Sequence, residues 1–117
     1  MQSVSRGKLG EEQAARKLEA GGMKIVAKNF RSTYGEIDII ALDGETIVFV
    51  EVKAWAAFDL ENLKFSLHLR KQSRIIKTAK YFLSLNREYS NMAIRFDVVF
   101  VQKTQITHLA SAFMERV

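Results

Sequence analysis

The chain of 117 residues contains no cysteine and no proline. Without cysteine it forms no disulfide and no thiolate metal site, whereas the absence of proline indicates no particular function. No run approaches the roughly 20 apolar residues of a membrane-spanning helix, and the N-terminal MQSVSRGKLGEEQAARKL lacks an apolar signal-peptide core. We therefore expect a cytoplasmic protein that does not bind membranes.

Several enzyme signatures are also missing. The sequence has no G-x-x-x-x-G-K-[ST] phosphate loop, and neither a Ser-His-Asp nor a Cys-His arrangement is visible. Its two histidines, His68 and His108, are isolated from the acidic residues discussed below, which argues against zinc. We interpret both as surface or rim histidines.

The composition that is present indicates one soluble globular domain covering residues 1–117. Apolar residues make up 48% and charged residues 26%, which is enough apolar material for a packed core. The net charge of +5 favours polyanionic partners such as nucleic acid, although a merely basic soluble protein would have the same balance.

Hydrophobic periodicity predicts the element order α-β-β-β-α-β-β, an α/β fold whose mixed sheet is flanked by helices. We expect helices near residues 7–20 and 67–85, strands near 23–30, 36–42, 46–53, 93–102 and 105–110, a loop over 54–65, and a C-terminal helical turn near Phe113. The glycine pair Gly21-Gly22 should end the first helix, and Asp43-Gly44 should close a hairpin.

Charged side chains interrupt the most hydrophobic stretch, GEIDIIALDGETIVFVEVK at residues 35–53. Asp38, Glu51 and Lys53 all occupy positions within predicted buried strands. A buried carboxylate is costly unless it is paired, hydrogen-bonded or metal-bound. We therefore expect these three groups to converge, while a structural Asp38–Lys53 ion pair with Glu51 near solvent remains an alternative.

Whether Asp38 and Glu51 meet depends on the hairpin register. We expect a three-residue loop, residues 43–45, to place them on one face, about one residue from directly opposite. A two-residue loop is expected to separate them by face. The sequence leaves both registers open.

The first helix offers a fourth acidic group. Glu11 lies on the same helical stripe as the small and apolar residues Ala14 and Leu18, so it should face the core. Glu36 follows a turn and lies near Arg31, and we assign it to surface or structural pairing rather than to the site.

This set of residues suits hydrolysis of a phosphodiester. Carboxylate and carbonyl oxygens bind hard cations such as Mg²⁺ or Mn²⁺, and such a cation activates water and neutralises phosphate charge. We predict Asp38, Glu51 and the main-chain carbonyl of Val52 as metal ligands. Lys53 would orient or deprotonate water, or stabilise the transition state.

The second predicted helix carries a basic surface. Arg70, Arg74 and Lys77 form one stripe, with Lys71 and Lys80 at its borders, and no acidic residue occurs between residues 64 and 80. We predict that these five residues bind a nucleic-acid backbone without reading its sequence. A solvated amphipathic helix that happens to be basic is the alternative.

These residues resemble the PD-(D/E)XK nuclease pattern, shared by restriction endonucleases and archaeal Holliday-junction resolvases. The segments GKLGEEQAARKL, KNFRSTYGEIDII, VFVEVK, RKQSRIIKTAKYFL and RFDVVFV resemble one branch of it, the uncharacterised bacterial YraN family, over nearly the whole chain. The resemblance implies a restriction-endonuclease-like three-layer α/β/α fold with a central mixed sheet. It also implies a metal-dependent endonuclease acting on DNA phosphodiester bonds, with branched or structured DNA as a candidate substrate.

The resemblance assigns roles residue by residue. It implies Asp38 and Glu51 as metal ligands, Glu11 as an ancillary acid and Lys53 as the catalytic lysine. It also implies that Lys71 and Gln72, which match the downstream helix motif, face the site or the phosphate. Asp97 in RFD matches a motif of unassigned role, for which pairing with Arg95 or with a neighbouring residue is the simplest explanation.

Other functions remain open. Relatives usually carry a Thr-Arg-like pair where this chain has Ala54-Trp55, which favours a non-catalytic nucleic-acid-binding module on a nuclease-like fold. An interaction protein with structural carboxylates is a third hypothesis. Because resolvase-like relatives are dimers, a homodimer through residues 58–65 is a candidate assembly.

Overall fold

In the computed structural model, which describes residues 6–54 and 69–114, two helices flank a five-stranded mixed sheet. The elements are α1 (Arg6–Ala20), β1 (Lys24–Arg31), β2 (Glu36–Asp43), β3 (Thr46–Ala54), α2 (Leu69–Leu85), a 3₁₀ turn (Arg87–Tyr89), β4 (Ala93–Val101) and β5 (Ile106–Phe113). The predicted order α-β-β-β-α-β-β is confirmed. Within the described ranges, no helix is long and apolar enough to cross a membrane.

The strands follow one another across the sheet in chain order, β1-β2-β3-β4-β5. Every neighbouring pair is antiparallel except β3 and β4, which are parallel. The parallel pair requires a crossover, and α2 lies in the connection that supplies it. The predicted loop over 54–65, Trp55, His68 and the proposed dimer contact lie outside the described residues, apart from Ala54, which ends β3.

The two helices cover opposite faces of the sheet. On one face α1 contributes Ala14, Ala15 and Leu18 to a cluster that includes Val48 and Val50 of β3. On the other face α2 packs against apolar residues that include Phe49, which lies between Val48 and Val50 in β3. The central strand is therefore apolar on both sides, which explains why its sequence is a nearly continuous hydrophobic run.

The hairpin between β2 and β3 turns through two residues, because Asp43 pairs directly with Thr46. The first turn residue, Gly44, has a φ of 61°, which glycine adopts without the steric cost that a side chain brings. Of the two registers that the sequence left open, the two-residue loop is therefore the one that forms, not the three-residue loop over residues 43–45.

The expectation that a two-residue loop separates the two acids by face is wrong. Ile39 pairs with Val50, so one further step of the same register places Asp38 opposite Glu51. Residues directly opposite each other in an antiparallel pair project from the same face. The tighter turn is thus the one that brings the carboxylates together.

The C-terminal part of the described chain is a strand rather than the helical turn predicted near Phe113. β5 reaches Phe113, which pairs with Phe96 and stacks on its ring at a centroid distance of 4.9 Å. The pairing of β4 with β5 shifts register between Phe96 and Val98, and Ser111 of β5 has a φ of 53°. Such a bulge lets β5, an edge strand, continue pairing beyond the irregularity.

The carboxylate of Asp97 is fully buried at this irregularity. Arg95 donates to it through Nε at 2.9 Å and Nη2 at 3.0 Å, His108 Nε2 lies 2.6 Å away, and the Ser111 N–H donates at 3.0 Å. Burial alone would raise the pKa of Asp97, but these partners outweigh it and lower the pKa. The expected pairing with Arg95 is confirmed, and His108 is a partner of Asp97 rather than an isolated surface residue.

Gly10 sets how closely α1 approaches the sheet. A Cβ at this position would lie 2.4 Å from the Cβ of Ala54 and 3.9 Å from that of Val101. Real Cβ atoms do not approach this closely, so a larger residue must push the helix away from β3. This contact also fixes the neighbouring Glu11 relative to the end of β3.

We predict that Gly10→Ala destabilises the protein by about 1–3 kcal/mol, because overpacking outweighs the better helix propensity of alanine. Chemical denaturation followed by circular dichroism measures the change. Glu19→Ala, at an exposed position of the same helix, is the control and should leave stability nearly unchanged. Equal or higher stability of Gly10→Ala would show that the helix is free to shift.

Candidate functional site

The site forms where β2 and β3 stop pairing as regular strands. Their ladder runs from Asp43–Thr46 to Ile39–Val50. Beyond this ladder, the side chain of Asp38 replaces a main-chain partner: its Oδ2 accepts a hydrogen bond from the Val52 N–H at 2.7 Å. On its other edge β3 still pairs with β4 as far as Ala54. The end of β3 is thus held by its hydrogen bonds to β4, while the Asp38 carboxylate binds its other edge.

Three carboxylates from two elements gather at this point. One oxygen each of Glu11, Glu36 and Asp38 lies within 4.8 Å of the others. The expected ion pair between Glu36 and Arg31 forms, at 3.2 Å, and Glu36 also lies beside the other two acids, which was not expected. Glu36 and Asp38 are two residues apart on β2, so strand alternation could have placed both on one face.

Asn29 of β1 links two of these acids. The hydrogen-bond network assigns its amide nitrogen to the side that faces them, where it donates to Glu11 Oε1 and Glu36 Oε1, each at 3.0 Å. Asn29 has a φ of 54°, a left-handed conformation that asparagine tolerates better than most residues. Sequence reasoning missed this residue, and a single asparagine within a strand pattern gave no signal for it.

Glu51 is nearly buried and pairs with a lysine of α2. Its Oε1 lies 2.5 Å from Lys71 Nζ. Burial alone would lower the pKa of Lys71, but the hydrogen bond and charge of Glu51 outweigh it and raise the pKa. Lys71, for which the resemblance implied a position facing the site or the phosphate, therefore points into the acidic site.

Lys53 is half-buried beside the same groups. Burial lowers its pKa, and the neighbouring Lys71 ammonium lowers it further, while the charges of Glu51 and Asp38 act in the opposite direction. The two lysines are thus neighbours whose pKa values shift in opposite directions. Lys53 is the one whose proton is held less tightly.

Asp38 experiences the strongest electrostatic conflict. Burial and the Glu51 carboxylate raise its pKa from 3.8 to about 8, with Glu11 adding to the effect, although the Val52 N–H lowers it. The protein alone therefore does not neutralise the acids gathered here. A cation bound among them would relieve this repulsion.

The structure brings the four predicted acidic and lysine residues, Glu11, Asp38, Glu51 and Lys53, to the same end of the sheet. A pocket of about 350 Å³ opens there, and its lining residues are Gly35, Glu36, Asp38, Glu51, Lys71, Arg74 and Ile75. The cluster of three carboxylates could hold a metal ion. Its donors are hard oxygens and His108 is engaged elsewhere by Asp97, which fits Mg²⁺ or Mn²⁺ better than zinc. The Val52 carbonyl stays a prediction as a ligand.

The predicted basic surface lies on α2 beside this pocket. Arg70, Arg74, Lys77 and Lys80 are exposed. Arg74 lines the pocket, and Lys77 lies above the ring of Tyr34 at 6.0 Å from its centroid. Cations therefore extend from the acidic site along the outer surface of the helix.

We predict that metal-free protein loses stability as the pH rises from about 4 to about 8. The raised pKa of Asp38 means that the folded state binds its proton more tightly than the unfolded chain. Asp38→Asn keeps an acceptor for the Val52 N–H and removes the charge. It should therefore increase the free energy of unfolding at pH 8 by more than about 1 kcal/mol, as measured by denaturation in EDTA.

The control for this experiment is Glu45→Gln, which removes a carboxylate from the exposed hairpin turn. It should leave the pH profile in place. Adding Mg²⁺ or Mn²⁺ should stabilise the wild type at pH 8 and not Asp38→Asn, by mass action on the folded state. A wild-type profile that is flat between pH 4 and 8 would contradict the electrostatic interpretation of Asp38.

Comparisons with known proteins place the chain in a family. The model of the uncharacterised protein family UPF0102 matches residues 10–101. A UPF0102 protein of Treponema pallidum (strain Nichols) is 44% identical over 118 residues, covering 95% of this chain and 94% of the relative. Another, from Persephonella marina, is 40% identical over 113 residues, covering 97% of each. The chain therefore belongs to the UPF0102 family, as its resemblance to YraN proteins led us to expect.

Proposed function

We propose that this protein is a metal-dependent endonuclease of the PD-(D/E)XK type that hydrolyses phosphodiester bonds in DNA. The observation that carries the proposal is the meeting of Asp38, Glu51 and Lys53 where β2 and β3 diverge, with Glu11 reaching the same point from α1. The α/β fold with helices on both sheet faces is compatible with a restriction-endonuclease-like architecture formed by residues 1–117 as one domain.

The acidic residues would hold Mg²⁺ or Mn²⁺. Asp38 and Glu51, together with the Val52 carbonyl, are the proposed ligands, and Glu11 is the ancillary acid. When bound, such an ion lowers the pKa of water and neutralises charge on the scissile phosphate. Glu36, which lies within the acidic cluster, adds a further oxygen donor that the sequence alone did not suggest.

The lysines have separate tasks in this proposal. Lys53, whose pKa is lowered by burial and by Lys71, is suited to orient the attacking water and accept its proton. Lys71 balances the charge of Glu51 and faces the space where a phosphate would lie. The exposed cations of α2 would bind the flanking backbone, which is read by charge and shape rather than by base identity.

Branched or structured DNA is the candidate substrate, and a homodimer would suit a substrate with two equivalent strands. The cytoplasmic location stays a prediction, and it is the compartment in which a bacterial protein meets DNA.

A non-catalytic nucleic-acid-binding module is the second candidate. The observation that favours it is the short ion pair between Lys71 and Glu51, which already neutralises one proposed ligand. In that case the pocket would be a structural remnant, and the basic helix alone would provide the function.

We predict that the wild type cleaves single-stranded, duplex or four-way-junction DNA in Mg²⁺ or Mn²⁺, and that Lys53→Met lowers the rate by about 100-fold or more. Methionine keeps most of the buried length of lysine without its charge. Gel-resolved cleavage measures the rate, and fluorescence anisotropy in EDTA checks that DNA binding persists. Lys103→Met, at an exposed position of the β4–β5 turn, is the matched control and should cleave normally.

The outcomes separate the candidates. Equal cleavage by Lys53→Met would remove the catalytic assignment of this lysine. Salt-sensitive binding without cleavage of any substrate would favour the non-catalytic module. Failure of the wild type to bind nucleic acid at low salt would reject both, leaving an interaction protein with structural carboxylates.

A further inference from the structure

We propose that Tyr34 is a stacking platform for one unpaired base of a nucleic-acid strand that passes the acidic pocket. The inference deepens the proposed function and rests on it only in taking nucleic acid as the ligand. It names a feature of the substrate: at least one base beside the pocket must be unstacked from its own neighbours to reach the ring.

The position of Tyr34 is the first observation. Tyr34 is 50% exposed in the turn between β1 and β2. The next residue, Gly35, lines the pocket together with Asp38 and Glu51. The tyrosine therefore stands within one residue of the pocket mouth, where a base close to a phosphate in the pocket would meet it.

The turn that carries the ring is well anchored. Within it, the Ser32 N–H donates to the Gly35 carbonyl at 2.8 Å and the Tyr34 N–H donates to Ser32 Oγ at 3.0 Å. Ser32 Oγ also lies 3.0 Å from Thr78 Oγ1 of α2, and that hydroxyl donates to the Arg74 carbonyl at 2.8 Å. The exposed ring is thus presented by a turn tied to the basic helix.

Gly35, at the end of this turn, lies directly beside α2. Gly35 has a φ of 158°, and a Cβ there would approach Arg74 Cβ to 3.4 Å and Thr78 Oγ1 to 3.7 Å. These are ordinary van der Waals distances, so the turn lies in contact with the helix. Ring and helix therefore form one surface beside the pocket.

The charges around the ring indicate what it would stack on. Lys77 Nζ lies 6.0 Å from the ring centroid, near the outer limit of a cation–π contact, and Arg74 is its neighbour one turn earlier on α2. An apolar protein partner would find cations at this place instead of an apolar patch. A nucleotide offers a flat base for the ring and a phosphate for the ammonium, which is the usual design of single-strand binding surfaces.

The test measures binding without cleavage. Fluorescence anisotropy in EDTA would follow a short fluorescein-labelled DNA single strand and a set of the same strand with one base at a time replaced by an abasic site. We expect Tyr34→Leu to weaken binding of the intact strand by about 10-fold, the loss of one stacked base. Tyr34→Phe, which keeps the ring, should bind within about 2-fold of the wild type.

The abasic strands identify the contact. At one position, removal of the base should weaken wild-type binding about as much as Tyr34→Leu does, and the two changes together should cost no more than either alone. The control is Tyr81→Leu: Tyr81 is 42% exposed on α2, two turns beyond Arg74, with its ring 6.1 Å from that of Phe30. It should show no such coupling with any base.

Failure of this inference is distinguishable from failure of the nuclease proposal. Unchanged binding by Tyr34→Leu, or an equal loss on a fully abasic strand, would overturn the stacking role while leaving cleavage to be judged separately. Coupling of Tyr34 to one base in a protein that cleaves nothing would support stacking and reject only the catalytic proposal. Absence of any wild-type binding at low salt would overturn both.

Discussion

The hydrogen bond from the Val52 N–H to the Asp38 carboxylate is the contact on which the site depends. A side-chain acceptor satisfies a main-chain group where the ladder between β2 and β3 has ended, so the strands can separate without leaving that donor unpaired. β4 still pairs with β3 along its other edge, and helices cover both faces of the sheet. β2 and β3 therefore separate only locally, next to Asp38. Asp38 is thereby placed against Glu51.

The concentration of negative charge at this point is only partly offset by the protein. Lys71 neutralises Glu51, Arg31 pairs with Glu36, and the Asn29 amide bridges two acids, yet the pKa of Asp38 rises to about 8. Such repulsion costs folding free energy, and proteins tolerate this cost mostly at functional sites. Asp97 provides the contrast. It is buried more completely than Asp38, but its full set of donors lowers its pKa.

Element order could be predicted from the sequence because apolar spacing repeats at the periods of strand and helix. The hairpin register could not, because the turn length that decides it depends on one residue, and we assigned Asp43 to the loop when it pairs with Thr46. Phe113 was wrongly placed because its partner, Phe96, lies on another strand. Contacts between residues that are far apart in the sequence leave no local pattern from which they could be predicted.

The site shows the same division between local and distant information. Asp38, Glu51 and Lys53 could be found because charge inside an apolar run is conspicuous within a single segment. The bond between Lys71 and Glu51 joins α2 to β3, and no spacing within either segment reveals it. This bond helps to explain how the two lysines differ. Lys71 has the carboxylate as its close partner, whereas the pKa of Lys53 is lowered by burial and then by the neighbouring Lys71. The opposite pKa shifts of the two lysines therefore follow from their contacts, although both are close enough to Glu51 to feel its charge.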